Sequence, residues 1–316
     1  MSRLLAEKIE PDDAVVRSIF GTTDPEAIWT QVQALCPEAV DCFAFRASVG
    51  ALFGLVFRGD QRVALKVHPS RPSEYLGAMQ QVQEHLWRHG FPAPRPLGVR
   101  GRATLEEWRE DGVHRDAHEP AIRRALAHQL LQLTRLARGV RPAADLTPFF
   151  PRAGGPLWPQ QHNVLVDFVA TAHDAAWIDE IARTAKEQRD AGDGDIVIAH
   201  HDWTVGHVRF RELRPAMVYD WDSLSNDFEP VFVGEAAAHF TYTEHLDVAL
   251  WPTVDETFMF IADYERARSA PFTRDEQATA AAAAVYARAY RTRCVHALGD
   301  DATELGLTEY AASLLQ

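Results

Sequence analysis

The chain of 316 residues is 47% hydrophobic and 24% charged, values that suit one large fold or two lobes around a sizeable core. Its formal net charge of −13 argues against nucleic acid and against a membrane surface as partners, because both bind basic patches. No apolar run reaches the roughly 18 residues of a membrane span, and no apolar segment follows the start as in a secretory signal. The three cysteines lack CxxC spacing, so we expect reduced thiols and a cytoplasmic protein.

The first part of the chain has the pattern of a sheet with flanking helices. Asp24 as N-cap and Pro25 at the first helical position predict a helix over 24–35. Turn residues separate three strand-like segments and predict an antiparallel meander; the segments are 42–47, 51–57 and 62–68. Helical periodicity over 73–89 ends in the segment GFPAPRPLG at 90–98, and a further strand is predicted over 103–108.

The second part is mostly helical. The predicted elements are an amphipathic helix over 119–137, a Pro/Gly-rich loop over 141–159, a long helix over 164–191, a short strand over 196–199 and helices from about residue 230 to the end. Strands followed by helices predict an α+β, bilobal protein. We assign a small β-rich N-terminal lobe with a short helical extension to residues 1–108, and a larger, mostly helical C-terminal lobe to residues 109–316.

Side chains that can take part in catalysis or bind a metal are concentrated in the segment 198–222, IAHHDWTVGHVRFRELRPAMVYDWD. Its pattern of strand, loop, short strand, turn and short strand predicts a hairpin in which Asp202, His207 and Asp220 converge. Histidine and aspartate together have the composition of a metal-ligand set.

A second signal is a lysine inside an apolar strand. Only three of the 32 basic residues are lysines, and Lys66 lies within the run VALKV at 63–67. In a chain that so strongly prefers arginine, this lysine is a candidate functional residue.

Together these residues resemble the motifs of aminoglycoside phosphotransferases, choline kinases and their relatives with the protein-kinase-like fold. The family pattern is His-x-Asp, an asparagine five residues later and a metal-binding aspartate about twenty residues on. Here His200, His201 and Asp202 match the first part, His207 stands at the asparagine position, and Asp220 follows. Val63–Val67 resembles the strand that carries the kinase lysine, and Ser48 and Gly50 lie where the phosphate-covering loop belongs.

The resemblance implies a role for each of these residues in phosphoryl transfer, a reaction that needs positioning and charge neutralisation. Lys66 would hold the α- and β-phosphates of ATP (GTP is not excluded) under the Ser48–Gly50 turn. Asp202 would accept or orient the proton of the acceptor hydroxyl, and Asp220 would bind Mg²⁺. The hinge backbone around Glu107 would contact the adenine.

Two departures from the family pattern leave alternatives open. His207 either binds the metal, as imidazole does with Zn²⁺ or Mn²⁺, or hydrogen-bonds Asp202 or a phosphate oxygen. The acid expected to pair with Lys66 falls near 79–83, where the chain has none, so Glu84 or Glu74 are the candidates.

The acceptor is expected to be a cationic small molecule. From Trp221 onward the chain has 16 Asp and Glu against six Arg and no Lys. The acids that follow the metal site would form an acidic wall that favours an amino sugar, an aminocyclitol or a choline-like amine; they are Asp222, Asp227, Glu229 and Glu235. No pattern indicates the oligomeric state.

Two other functions fit parts of the sequence. A degenerate kinase would bind nucleotide or ligand without turnover, as His207 and the missing helix acid suggest. A metal-dependent hydrolase would use the His/Asp cluster and give Lys66 no role.

Overall fold

A five-stranded antiparallel sheet forms the N-terminal part of the protein in the computed structural model, which describes residues 3–142, 144–161, 164–268 and 270–315. Its strands are β1 (Ala39–Ala47), β2 (Ala51–Phe57), β3 (Arg62–Val67), β4 (Pro96–Arg100) and β5 (Ala103–Glu107). They lie in the order β1-β2-β3-β5-β4, so the predicted meander of the first three is confirmed. Strand β4 was not predicted, because its prolines and glycine hid a short edge strand that pairs with β5.

Three helices from the N-terminal segment of the chain pack against this sheet. They are α1 (Arg3–Lys8), α2 (Ala14–Phe20) and α3 (Pro25–Leu35). Their apolar residues, such as Leu5 and Ile28, share one buried cluster with Phe53 and Leu55 of the sheet. The side chain of Asp24 accepts hydrogen bonds from two backbone N–H groups of the first turn of α3, which confirms the predicted cap.

The next helix, α4 (Ser73–Arg88), connects the sheet with the rest of the molecule. Its apolar residues Leu76, Val82 and Leu86 belong to a cluster that also contains Leu126 and Phe210 from the second half of the chain. The hydrophobic core is therefore continuous from α4 into the helical part.

Helices dominate from residue 120 onward. The elements are α5 (Pro120–Ala137), α6 (Ala176–Asp190), β6 (Ile196–His200), β7 (Val208–Arg211), β8 (Arg214–Val218), β9 (Leu224–Phe228), α7 (Glu229–His239), α8 (Val254–Arg268), α9 (Arg274–Leu298) and α10 (Leu307–Leu314). Strand β6 pairs with β9 and β7 with β8 in two small antiparallel sheets. This confirms the α+β, protein-kinase-like fold class.

The predicted long helix over 164–191 is wrong in its first half. Asp167 accepts hydrogen bonds from the N–H groups of Val169 and Ala170 at 2.9 Å, which closes a local turn. Asp174 then takes a left-handed conformation with φ of 62°, so no continuous helix can pass through it, and α6 begins only at Ala176.

The alanine-rich helix α9 packs deep in the C-terminal part. Its run Ala280–Ala284 is buried, and a Cβ on Gly234 of α7 would lie 2.0 Å from the carbonyl oxygen of Ala280. Only glycine permits this close approach of the two helices. None of the described helices is long and apolar enough to cross a membrane.

Candidate active site

The turn between β1 and β2 approaches the strand that carries the candidate lysine. The backbone N–H of Ser48 donates to the carbonyl oxygen of Gly50 at 2.8 Å. A Cβ at Gly50 would lie 2.3 Å from the carbonyl oxygen of Val67, so a larger residue would push the turn away from β3. Both residues of the predicted phosphate-covering loop therefore lie beside the strand of Lys66.

Lys66 reaches across to the end of the small β7–β8 sheet. Its ammonium donates to one carboxylate oxygen each of Asp220 and Asp222. Burial acts to lower the pKa of Lys66, but these two carboxylates outweigh it and the pKa is raised. The second oxygen of Asp222 lies 3.2 Å from Nδ1 of His68, whose Nε2 is 2.9 Å from Oγ1 of Thr104.

Glu84, one candidate partner of Lys66, lies elsewhere. Its carboxylate pairs with Arg88 at 2.7 Å on the exposed face of α4. The buried face of the helix carries glutamines instead: Gln80 donates to the carbonyl oxygen of Leu105 at 2.9 Å, and Gln83 donates to Glu106 at 2.7 Å. Neither Glu84 nor Glu74 is an ion-pair partner of Lys66 in the described residues, and Asp220 and Asp222 take the place of a helix acid beside it.

Glu106, which accepts the bond from Gln83, is a further ionisable group behind the lysine. Burial raises its pKa to about 7 even though the hydrogen bond from Gln83 opposes this shift. This environment could not be predicted from the sequence, because strand periodicity alone does not reveal how closely α4 covers β5.

Asp202 lies in the loop that follows β6, as predicted. Its Oδ1 accepts a hydrogen bond from Nη2 of Arg291 at 3.0 Å and lies 3.7 Å from Nε2 of His239. Burial acts to raise the pKa of Asp202, but the Arg291 guanidinium, followed by His207 and His239, outweighs it and holds the pKa well below its usual range. Asp202 is therefore ionised at neutral pH.

His207 and Asp220 lie on either side of a small gap beside Asp202. Nδ1 of His207 is 3.0 Å from the carbonyl oxygen of Asp202, and its Nε2 is 4.0 Å from Oδ2 of Asp220. His200, which is 1% exposed, completes a group of three residues whose ligand atoms all lie within 4.8 Å of one another. Asp220 itself has φ of 67°, a left-handed conformation that aspartate tolerates better than most residues.

The hinge segment at the end of β5 is already engaged in backbone pairing. The N–H of Glu107 donates to the carbonyl oxygen of Arg95 at 2.9 Å, and the N–H of Trp108 donates to the carbonyl oxygen of Arg62 at 3.3 Å. The carbonyl oxygen of Leu105 accepts from Gln80. Adenine contact at Glu107 stays a prediction. The backbone N–H of Glu107 is already hydrogen-bonded to the carbonyl oxygen of Arg95.

The predicted acidic wall around the acceptor is wrong for three of its four acids, and the fourth, Asp222, pairs with Lys66. Asp227 is 7% exposed and pairs with Arg152, and Glu229 accepts a hydrogen bond from the hydroxyl of Tyr264 at 2.8 Å. Glu235 is 3% exposed, and burial raises its pKa well above the usual range. These acids face inward because residues 224–239 form β9 and the fully buried helix α7.

The sequence patterns did not predict that Arg291 and His239 lie beside the carboxylate of Asp202. Arg291 lies on α9, 89 residues further along the chain, and His239 ends α7. Burial lowers the pKa of His239 to about 3, so its ring is neutral at pH 7. An arginine in the middle of an alanine-rich helix was the only available signal.

Comparisons with known proteins show the family and the fold of the chain. Residues 46–228 match the model of the phosphotransferase enzyme family. No curated protein matches the chain by sequence. Among solved structures, the amicoumacin kinase hAmiN in complex with AMP-PNP, Ca²⁺ and Ami is 10% identical, with a TM-score of 0.65 over 92% of this chain and 93% of that chain.

Two further structures share the fold. The gentamicin-APH(2")-IIa complex is 13% identical, with a TM-score of 0.50 over 93% of this chain and 96% of that one. Choline kinase from Cryptosporidium parvum Iowa II is 14% identical, with a TM-score of 0.53 over 92% and 94%. The family match spans more than half of the chain and includes Lys66, Asp202 and Asp220, and the chain therefore belongs to the phosphotransferase enzyme family.

Proposed function

We propose that this small-molecule kinase transfers the γ-phosphoryl group of ATP to a hydroxyl of its acceptor, with Lys66 and Asp220 at the nucleotide and Asp202 at the hydroxyl. The observation that carries the proposal is the contact of Lys66 with Asp220, 154 residues apart in sequence. It joins the sheet of the N-terminal part to the hairpin that bears Asp202 and His207. A hydrolase using only the His/Asp cluster would not need this lysine.

Asp202 fits the role of orienting the acceptor hydroxyl. Its carboxylate is ionised because Arg291 lowers its pKa, and an ionised carboxylate accepts a hydrogen bond from a hydroxyl. A carboxylate with so low a pKa is a weak base. Phosphoryl transfer tolerates this, because its largely dissociative transition state depends on position and charge more than on early removal of the proton.

Lys66 and Asp220 form the charged floor of the nucleotide site. Oδ1 of Asp220 accepts from Lys66, and its Oδ2 accepts from the hydroxyl of Ser223 at 3.1 Å, which fixes the carboxylate plane. Asp220 would hold the divalent cation that accompanies ATP, and this cation would neutralise charge on the β- and γ-phosphates. The ammonium group of Lys66 would then donate some of its hydrogen bonds to the phosphates.

The acceptor is proposed to carry an amine. The expected acidic wall does not support this, but aromatic faces beside Asp202 do, since an ammonium group binds well over aromatic rings. Phe149 stacks on His201 with ring centroids 4.5 Å apart, and burial lowers the pKa of His201 to about 3, so that ring carries no repelling charge. Tyr242 lies near Arg291 and donates to the exposed carboxylate of Glu244. The structures of similar fold include a gentamicin complex and a choline kinase.

The first experiment is a thermal shift of the pure protein with ATP alone, Mg²⁺ alone and both together. A ligand at a hundred times its Kd stabilises the folded state by about 2.7 kcal/mol. For a chain of this length that is a rise in Tm of about 4 °C. A shift that requires ATP and Mg²⁺ together is expected; GTP in place of ATP tests the choice of nucleotide. A shift with ATP that ignores the metal indicates binding without turnover, and no response to nucleotide contradicts the kinase site.

The second experiment measures ADP release with a panel of amino sugars, aminocyclitols and choline-like amines, alongside neutral sugars and nucleosides. Asp202→Asn is expected to lower kcat by a factor on the order of 10³ while retaining the thermal shift with Mg-ATP. Asp220→Asn is expected to lose that shift. The exposed residue Asp12 provides the matched control, and Asp12→Asn should behave as wild type. Full turnover by Asp202→Asn would refute its role, and turnover with neutral acceptors alone would refute the amine.

The state of the cysteines supports a proposal for the cellular compartment. Cys36 and Cys294 are buried free thiols, as in proteins of a reducing compartment. We therefore propose the cytoplasm, where ATP is also available, as the place of the reaction.

A further inference from the structure

The side chain at position 207 is an imidazole, and its hydrogen bonds assign its tautomer. Nδ1 lies 3.0 Å from the backbone carbonyl oxygen of Asp202. A carbonyl oxygen only accepts, so Nδ1 carries the proton and donates it. In the neutral ring the lone pair then resides on Nε2, and a nitrogen lone pair of this kind is a common metal ligand.

That lone pair lies at a distance from Asp220 that one divalent ion can span. Nε2 of His207 and Oδ2 of Asp220 are 4.0 Å apart, too far for a hydrogen bond between them. Transition-metal bonds to imidazole nitrogen and carboxylate oxygen are about 2.0–2.2 Å long, so an ion between the two atoms would contact both. Ser223 holds this carboxylate oxygen in place through its hydroxyl at 3.1 Å.

His200 is a third residue with a ligand atom close to His207 and Asp220. Nε2 of His200 donates to the carbonyl oxygen of Tyr219 at 3.1 Å, which leaves the lone pair on Nδ1. This Nδ1 is buried without a hydrogen-bond partner among the described residues, a condition that costs about 1–3 kcal/mol. His200, His207 and Asp220 each offer a ligand atom, and these atoms lie within 4.8 Å of one another.

Two imidazoles and one carboxylate are an unusual donor set for magnesium. Mg²⁺ takes oxygen ligands and keeps most of its water, whereas imidazole suits first-row transition metals. We infer that the cation at Asp220 is a transition-metal ion such as Mn²⁺, bound in preference to Mg²⁺ through Nε2 of His207. This inference rests on the proposed kinase site and specifies which cation accompanies the nucleotide there.

The test compares metal binding by wild type and His207→Asn, the variant that restores the residue of the family pattern. Bound Mn²⁺ is measured by electron paramagnetic resonance in the presence of ATP, with Mg²⁺ as competitor. The ratio of the Mn²⁺ and Mg²⁺ affinities is expected to fall about tenfold in His207→Asn, in the range seen when metal-site contacts are removed. His173, whose side chain is 91% exposed, provides the control His173→Asn, for which the ratio should not change.

A second measurement needs no variant to fold. The Mn²⁺ signal of the wild-type complex is expected to show nitrogen hyperfine coupling from a ligated imidazole. Absence of that coupling, or an equal affinity ratio in wild type and His207→Asn, would overturn the inference. If His207→Asn keeps the wild-type affinity ratio while both proteins phosphorylate acceptor, the kinase proposal stands and the metal preference falls. If neither protein binds any metal–ATP complex, the kinase proposal itself fails.

Discussion

Replacing Lys66 by methionine tests the central contact of the site. The substitution keeps the apolar stem that packs in β3 and removes the ammonium between Asp220 and Asp222. Two carboxylates then face each other without a cation between them. We expect a less stable protein with little turnover, and a strong dependence of its stability on divalent metal.

The loss of stability can be estimated from the exposure of the three groups. Removing one partner of a fully buried ion pair costs about 3–5 kcal/mol. The side chains of Lys66, Asp220 and Asp222 are 26%, 28% and 17% exposed, so solvent screens part of the interaction and about 2–3 kcal/mol is expected. With an unfolding entropy of about 2.1 cal/mol/K per residue, this lowers Tm by about 3–5 °C.

The pH dependence of this loss has a definite sign. In wild type the pKa of Asp220 is lowered, burial being outweighed by Lys66, so its contribution to stability is present above the unfolded pKa of 3.8 and is lost as the pH falls further. Without the lysine, repulsion raises the pKa of one of the two carboxyls. Lys66→Met should therefore become more stable, relative to wild type, as the pH is lowered toward that unfolded value.

The assay is a set of thermal melts at several pH values, with and without Mg²⁺ or Mn²⁺. A metal at the two carboxylates replaces the missing charge, so it should raise the Tm of Lys66→Met more than that of wild type. The exposed Lys8 on α1 provides the control, and Lys8→Met should match wild type. An unchanged Tm, or a loss of stability that is the same at all pH values and with all metals, would refute the assigned contact.

Three other changes have definite expected outcomes. Gly50→Ala should lower Tm and weaken ATP binding, because its Cβ would lie 2.3 Å from a carbonyl oxygen of β3. As a control, Gly77→Ala in the open middle of α4 should raise the free energy of unfolding by about 0.5–1 kcal/mol, and equal melts for the two variants would contradict the close approach. The pKa of Glu106 is raised to about 7, so wild-type stability should fall by at most about 3 kcal/mol as the pH rises from 4.5 to 7, and melts of Glu106→Gln should lack this slope. Arg291→Gln should raise the pKa of Asp202 and introduce an acid limb in the pH profile of kcat/KM; a profile identical to wild type would remove Arg291 from the site.

Local sequence patterns were sufficient for most of the elements that position the site. Alternation and turn residues predicted β1 to β3, and the spacing of motifs predicted that Asp202, His207 and Asp220 meet at one hairpin. These predictions succeed because strand pairing across short turns and loop position after a strand are decided by nearby residues.

Patterns failed where a local device or a distant neighbour decided the outcome. The helical periodicity over 164–191 did not reveal the Asp167 turn that delays α6, and acidic composition after Trp221 did not reveal that Asp227, Glu229 and Glu235 are buried. Composition reports how many charges a segment has, whereas burial depends on how α7 packs against α9 and its other neighbours.

The sequence by itself determined the fold class, the family and the residues that meet at the site, because these depend on motif order and spacing along the chain. Only the tertiary structure decided the partners of those residues. Lys66 contacts Asp220 and Asp222 instead of an acid on α4, and Arg291 of α9 holds Asp202. The reason is physical: ion pairs form between groups that packing brings within a few ångströms, and distance along the chain does not limit that packing.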